Sequence, residues 1–539
     1  RKNCLPKTNK TLAVDRRCAD RIDPGRRQAE ACTVRKRFET AHAVFHYTGS
    51  IFIVLGAVML IPLVCVPLCG EYRSGHPTVL AFAISAALSL VIGAAMRMLF
   101  REGPIRTVQA MLICCVGWIG CSALGAFPYV IGLGTGYLDA LFETACGFTT
   151  TGMTIFTGLA HFPKSILLWR AMTQWFGGIG ILAFVLAIGV RGMGAHTLFG
   201  AESHKVETTR PVPGLFNTVR ILWVIYTGFT GAVFVALMLA GMGTFDAVCH
   251  GMTTLATGGF SNYDANIDYF RIAGGYRHVL IEYIIIAGML AGGISFIVHY
   301  RVLTGKPRRL WAGVEMRWFW GIIAGSCLII LAGHYIGGDT PPGPPFSAPF
   351  WTRVESDART ALFQTVALVT STGYHTREIS SSWFGPAARQ VFLLLMFIGG
   401  CAGSTSGGFK VFRVVLLERV IRREIFRLRA PIGAVTRIVI DGEMISVDEV
   451  QRVTGLFFAW IAFIAAGGIA TALFSRHGAY ESISGMFSVV NNIGPSYIPM
   501  GDIPSLPPLV KIVWIFGMIA GRLEILPALL LLSPRAWRN

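Results

Sequence analysis

Four short stretches constrain this chain more than anything else in it. Ala361-Leu362-Phe363-Gln364-Thr365 leads into Thr370-Ser371-Thr372-Gly373, and Ala140-Leu141-Phe142-Glu143-Thr144 leads after the same interval into Thr149-Thr150-Thr151-Gly152. A third copy closes on Ala256-Thr257-Gly258, and a weaker fourth on Asn491-Asn492-Ile493-Gly494. The closing glycines recur at intervals of 106, 115 and 121 residues. A period of this size is the mark of one structural unit used four times.

The solvent for that unit is a lipid bilayer. The chain is 53% hydrophobic and 14% charged, with a mean hydropathy of +0.58, whereas soluble domains carry about 25% charged residues. Apolar stretches of about 20 residues recur, each long enough to span. This is an all-α polytopic membrane protein. Its formal charge of +18 does not make it a nucleic-acid binder, because the basic residues collect between spans, where orientation demands them. Most of the 12 cysteines, including Cys65, Cys114, Cys115, Cys121 and Cys401, lie in apolar stretches and pack there as small hydrophobes. Cys4, Cys18 and Cys32 form no C-x-x-C pair and read as free thiols.

In chain order, residues 1–48 form a basic cytoplasmic tail and residues 49–106 hold two extra spans, Gly49–Leu68 and Thr78–Met96. Residues 107–199 form the first repeat: span Val108–Ile131, half-helix Asp139–Phe148, Thr-Gly loop, span Ser165–Val190. The second, 200–305, has Ile221–Met242, a half-helix from Asp246 and Val279–Val298. The third, 306–430, has Trp318–Ile336, a Pro/Gly-rich exterior loop over 341–345, a half-helix from Asp357 and an apolar segment from Gln390 to Val420. The fourth, 431–539, has Thr454–Phe474, Ala479–Val490 and Leu509–Leu532. The expectation is ten spans and four re-entrant hairpins. Lys and Arg crowd 301–309 and 419–429, which places both termini in the cytoplasm and brings all four Thr-Gly loops in from outside.

Non-helical backbone at membrane depth is tolerated only where protein buries it or where it lines a water-filled path. Four such loops around one axis present a ring of carbonyl oxygens that replaces the hydration shell of a monovalent cation. The expected ligands are the backbone carbonyls of Thr150, Thr151, Ala256, Thr257, Ser371, Thr372, Asn492 and Ile493, with the threonine hydroxyls as extra oxygens. Each half-helix aims its partially negative C-terminal end at the pore. The plainer alternative is a set of Gly/Thr contacts between packed helices.

At these residues the chain resembles the Trk/Ktr/HKT superfamily of potassium transporters, and within it the bacterial TrkH-like pore-forming subunits. The resemblance covers residue 49 to the end. It rests on Thr149–Gly152, Leu167–Gly178, Thr254–Ser261, Gly399–Lys410 and Gly521–Glu524; the two leading spans favour the TrkH-like branch. It implies potassium uptake across the bacterial cytoplasmic (inner) membrane, with K+ as the transported ion and no organic cofactor. It also implies a homodimer with one pore per protomer, regulated by a TrkA-like cytoplasmic nucleotide-binding subunit. A glycine at each filter position goes with potassium in this family, and Gly152 fits. Ser496 stands where a further glycine is expected. The alternative on the same scaffold is a sodium-permeable or cation-coupled symporter. The chain has no G-x-S-x-G, H-E-x-x-H or intramembrane carboxylate pair, so it is not read as an enzyme.

Two features suggest a gate. Gly399, Gly400, Gly403, Ser404, Thr405, Ser406, Gly407 and Gly408 break the last span of the third repeat, since glycine costs about 1 kcal/mol against alanine in a helix. In family terms this is an intramembrane loop that blocks the pore; the alternative is a glycine-lined packing face. Lys410 follows the loop as an anchor or an interfacial side chain. Arg522 lies midway along the last predicted span, where its charge opposes a cation beneath the filter; the alternative is an ion pair with Glu524. Arg170 is expected near the exterior end of its span, where it braces the first half-helix through Glu143 or serves as an ordinary interfacial anchor.

Overall fold

The computed structural model describes residues 24–71, 77–180, 215–336, 349–431 and 436–537. The basic tail as far as residue 23, the end of the predicted Ser165–Val190 span and the Pro/Gly-rich loop at 341–345 lie outside the described residues.

Six of the ten predicted spans are helices long and apolar enough to cross a membrane: Glu39–Leu68, Thr78–Leu99, Thr107–Leu133, Asn217–Leu239, Val314–Ile336 and Val447–Phe474. Of the other four, the Ser165–Val190 span is described only as far as Gly180, the third-repeat segment is interrupted as expected, and two are broken where a continuous span was expected. Lys164–Ile179 is a helix that stops at Gly180. The stretch predicted as Val279–Val298 is two helices, His278–Gly293 and Phe296–Leu303, bent by 104°. The third repeat divides into Pro386–Phe397 and Val411–Arg427, as the glycine content foretold. The last predicted span divides into Pro508–Arg522 and Leu526–Leu531, across Glu524 and Ile525 at positive φ.

Three of the helices bring a glycine against the last carbonyls of an inserted helix: Gly177 on Phe148, Gly292 on Leu255 and Gly521 on Val490. A Cβ at any of the three would collide with that backbone. The sequence therefore trades helical propensity for close approach.

The inserted helices are Tyr137–Phe148, Thr244–Leu255, Phe350–Val369 and Ala479–Val490. The third starts earlier than the Asp357 read from sequence. All four are buried toward their C-terminal ends, polar positions included (Glu143, His250, Gln364, Ser488). The outer surface is the reverse: Leu68, Met98, Leu239 and Leu473 are exposed, as lipid-facing positions are.

Salt bridges tie inserted helices to the spans beside them. Lys511 on Pro508–Arg522 reaches Asp139 on the first at 2.7 Å, and Arg359 on the third pairs with Glu282 on His278–Gly293.

Candidate functional site

Each inserted helix ends in the same turn. The amides of Thr150, Thr257, Ser371 and Asn492 donate three residues back, to Gly147, Thr254, Leu368 and Val489. The next amides, of Thr151, Gly258, Thr372 and Ile493, donate five back, to Cys146, Thr253, Ala367 and Ser488, at 2.8–2.9 Å. This is the Schellman pattern, whose left-handed residue is usually Gly or Asn. Here it is Thr150 (φ 55°), Thr257 (51°), Ser371 (51°) and Asn492 (53°). A left-handed threonine is a genuine outlier, and such backbone costs about 1–3 kcal/mol per residue.

Two residues later comes a glycine at positive φ: Gly152, Gly259, Gly373 and Gly494. This corrects the register of the second loop. The equivalent of Gly152 is Gly259, not Gly258, and the expected carbonyls of Ala256 and Thr257 become those of Thr257 and Gly258. Thr257-Gly258 matches the Thr-Gly dipeptide of the first loop in sequence, but a second glycine follows it at 259. Ser496 lies two residues beyond the ring glycine Gly494, at the position of Thr154 and Ser261 in the first and second loops.

The four glycines close a circle. A Cβ at Gly152 would strike the carbonyl oxygen of Gly258, at Gly259 that of Thr372, and at Gly373 that of Ile493; at Gly494 it would come within 2.7 Å of the Thr151 oxygen. Each loop packs its glycine on the next loop's carbonyl, and the fourth returns to the first.

The threonine hydroxyls are used differently from expectation. Thr149 and Thr151 bond each other at 2.8 Å, as do Thr370 and Thr372, and Thr149 and Thr370 also donate to their own helices. Asn492 donates to Thr151 at 3.0 Å and to the Met518 carbonyl at 2.9 Å. These groups brace the loops. Gln174, quoted in the sequence only as part of a motif, clasps the second loop: it donates to the Gly258 carbonyl at 2.6 Å and accepts from Phe260 N at 3.0 Å.

The Glu143–Arg170 brace is present. Glu143 takes Arg170 Nε at 2.8 Å and Ile155 N at 2.9 Å, both side chains being buried. Arg170 continues to the Ser261 carbonyl at 3.0 Å and lies over the Phe260 ring, so one guanidinium joins the first and second loops. Arg170→Ala strands a buried carboxylate and is expected to cost about 3–5 kcal/mol. A thermal melt of the detergent-solubilised chain checks this; an unchanged Tm would remove the brace.

The glycine-rich break lies directly against the ring. Ile398–Gly399 pairs in parallel with Phe409–Lys410, and residues 400–408 project from the pair. Thr405 Oγ1 lies 3.2 Å from Thr257 Oγ1 and donates to the Leu255 and Gly292 carbonyls, each at 3.0 Å. Ser406 Oγ meets Ser371 Oγ at 2.8 Å, and Gly407 N donates to Ser371 Oγ at 2.6 Å. A Cβ on Gly407 would meet the Asn491 carbonyl at 2.5 Å. The loop tip thus touches the second, third and fourth turns, largely through the left-handed residues. Lys410 Nζ holds the loop's own Ser406 carbonyl.

Arg522 completes the set. It is the last residue of its helix, not the middle of a span. Nη1 donates to Thr150 Oγ1 at 3.2 Å and to the Thr405 carbonyl at 2.9 Å; Nη2 donates to the Gly177 and Gly178 carbonyls at 2.6 and 2.7 Å. Arg522 therefore links the first turn to the loop tip. Its alternative partner, Glu524, pairs with Arg413.

The chain matches the TrkH family, described as cation transport protein, over residues 79–337 and 348–538. It is 32% identical to the Trk system potassium uptake protein TrkH of Escherichia coli K12, over 92% of this chain and 99% of that one. It is 34% identical to the protein of the same name from Vibrio parahaemolyticus, over 81% and 87%. The crystal structure of the potassium transporter TrkH from Vibrio parahaemolyticus superposes with a TM-score of 0.76 at 29% identity, covering 92% of this chain and 99% of that one.

Proposed function

The chain belongs to the TrkH cation transport family, and from that membership we propose that it carries potassium into the cell through the glycine ring. The observation that supports this most is the closed circle in which Gly152, Gly259, Gly373 and Gly494 each lie on a neighbouring loop's carbonyl. Such packing fixes the radius of a carbonyl ring, and a fixed radius with many carbonyl dipoles is what a potassium filter needs. The carbonyls assigned to the ion are those of Thr150, Thr151, Thr257, Gly258, Ser371, Thr372, Asn492 and Ile493.

In this reading residues 107–199, 200–305, 306–430 and 431–539 are the four pore units, preceded by two extra spans. Residues 400–408 are a gate, drawn up against the inner side of the ring and tied there by Arg522 and Lys410. The basic clusters at 301–309 and 419–429 support cytoplasmic termini. Homodimerisation and control by a TrkA-like nucleotide-binding subunit follow from the family reading and from the relatives' naming as parts of a Trk system.

The deciding experiment is tracer uptake into proteoliposomes holding only this chain, comparing rubidium with sodium. The expected result is slow uptake that strongly prefers rubidium. Equal sodium uptake would reject the potassium assignment.

A further inference from the structure

A route from the cytoplasmic surface to the glycine-rich loop runs through two adjacent residues. Val439–Ile440 and Glu443–Met444 pair as an antiparallel hairpin, with Asp441 at its tip at φ 52°. The Asp441 carboxylate accepts from Val314 N at 3.0 and 3.1 Å. It thereby caps the helix Val314–Ile336 from 127 residues away, satisfying an amide that a helix start leaves open. The next residue, Glu315, accepts from Ala402 N at 2.8 Å. Ala402 belongs to the loop, three residues before Thr405, which contacts the ring.

The loop's other ties described above run to carbonyls and hydroxyls around the ring and to the side chains of Arg522 and Lys410. This one runs to a carboxylate at the start of a helix, and the same helix start is held by an exposed hairpin. A carboxylate accepting from a backbone N–H makes one of the stronger hydrogen bonds in proteins. Its strength depends on where the helix start sits, and Asp441 is one of the groups that hold that start.

We propose that Glu315 is the latch of the gate loop, and that the 439–444 hairpin sets the latch through Asp441. The proposal deepens the gate reading above and rests on it. Glu315 is a positioning residue: it touches the loop, not the ion. A pull on the hairpin from the cytoplasmic side moves Val314 and Glu315 together, lengthens the Glu315–Ala402 bond and frees the loop from the ring. No change in the filter itself is required.

The test is rubidium uptake by the full chain in proteoliposomes, with maximal rate and half-saturating concentration measured separately. Glu315→Ala is expected to raise the maximal rate about tenfold, as loss of one charge-assisted hydrogen bond in the closed state implies. The half-saturating concentration and the preference over sodium stay unchanged. Glu315→Gln keeps an acceptor oxygen and is expected to stay near the parent. Asp441→Ala is expected to move the rate in the same direction, by less. A merely structural role would lower the rate and would not be rescued by glutamine.

A chain lacking Gly403–Gly407 separates the two levels of the argument. If that deletion conducts freely while Glu315→Ala keeps the parent rate, the latch is wrong and the gate stands. If neither conducts better than the parent, the gate reading falls and the latch falls with it. A raised rate with altered ion preference also rejects the latch, since it would mean that the filter had moved. Should Glu315→Ala fail to fold, Glu315→Asp serves: its carboxylate is one methylene short of Ala402. A folded Glu315→Asp chain at the parent rate overturns the proposal.

Discussion

Gly373→Ser is expected to remove the preference for rubidium over sodium while leaving a chain that inserts and folds. Two independent penalties meet at this position. The backbone sits at φ 76°, where a side chain costs about 1–2 kcal/mol. The new Cβ would also overlap the Ile493 carbonyl oxygen and approach Pro495 Cδ at 2.7 Å. That carbonyl is one of those assigned to the ion, so relief of the clash must displace it and widen the ring at the seam between the third and fourth loops. Strain of about 1–3 kcal/mol delivered to a coordination shell corresponds to about tenfold to hundredfold in relative ion affinity. Paired rubidium and sodium uptake measures it. Gly494→Ser is expected to be milder, because its Cβ would stop 2.7 Å from the Thr151 oxygen. If Gly373→Ser keeps the parent selectivity, the ring is not the selecting element.

The four inserted helices were legible because each carries a local signal, a helix running into a short turn closed by glycine, between apolar runs. The Arg170–Glu143 brace was only half legible: the sequence offered it beside an interfacial anchor, and the burial of both side chains decides for the pair. What escaped was set by partners far along the chain. Gly258 and Gly259 look alike in sequence; only the hydrogen bond from Gly258 N to the Thr253 carbonyl fixes which of them faces the next loop. The threonines looked like pore oxygens, yet Thr149, Thr151, Thr370 and Thr372 spend their hydroxyls on one another and on helix carbonyls. Arg522 looked like a bare charge in mid-span. Its helix ends there, beside the contact of Gly521 with the Val490 carbonyl, and the guanidinium finds Thr150 and Thr405, 372 and 117 residues away. Glu315 gave no signal, because its partner Ala402 contributes only a backbone amide.

Deleting Gly403–Gly407 is expected to raise rubidium uptake by at least about tenfold with the preference over sodium retained. The deletion removes the segment that presses on the ring and spares what holds the flanking helices. The Ile398–Phe409 and Gly399–Lys410 pairing lies outside it, and residues 400–402 and 408 remain to join the two strands. What is lost is a group of closed-state hydrogen bonds: the one Thr405 hydroxyl proton shared between the Leu255 and Gly292 carbonyls, the Gly407 amide to Ser371, and the bond between Ser406 and Ser371. Each contributes about 1 kcal/mol, and every 1.4 kcal/mol shifts a closed–open balance about tenfold. Arg522→Ala is the informative companion. It removes a positive charge from beneath the ring and the tie to the Thr405 carbonyl, but it leaves the loop's bonds to Thr257 and Ser371 in place. Its uptake is therefore expected between the parent and the deletion. It should also lose some ion preference, because the Thr150 hydroxyl and the Gly177 and Gly178 carbonyls lose a shared donor. A deletion that conducts no better than the parent would place the barrier elsewhere. An Arg522→Ala chain that outruns the deletion would make the charge, rather than the loop, the principal obstacle to the ion.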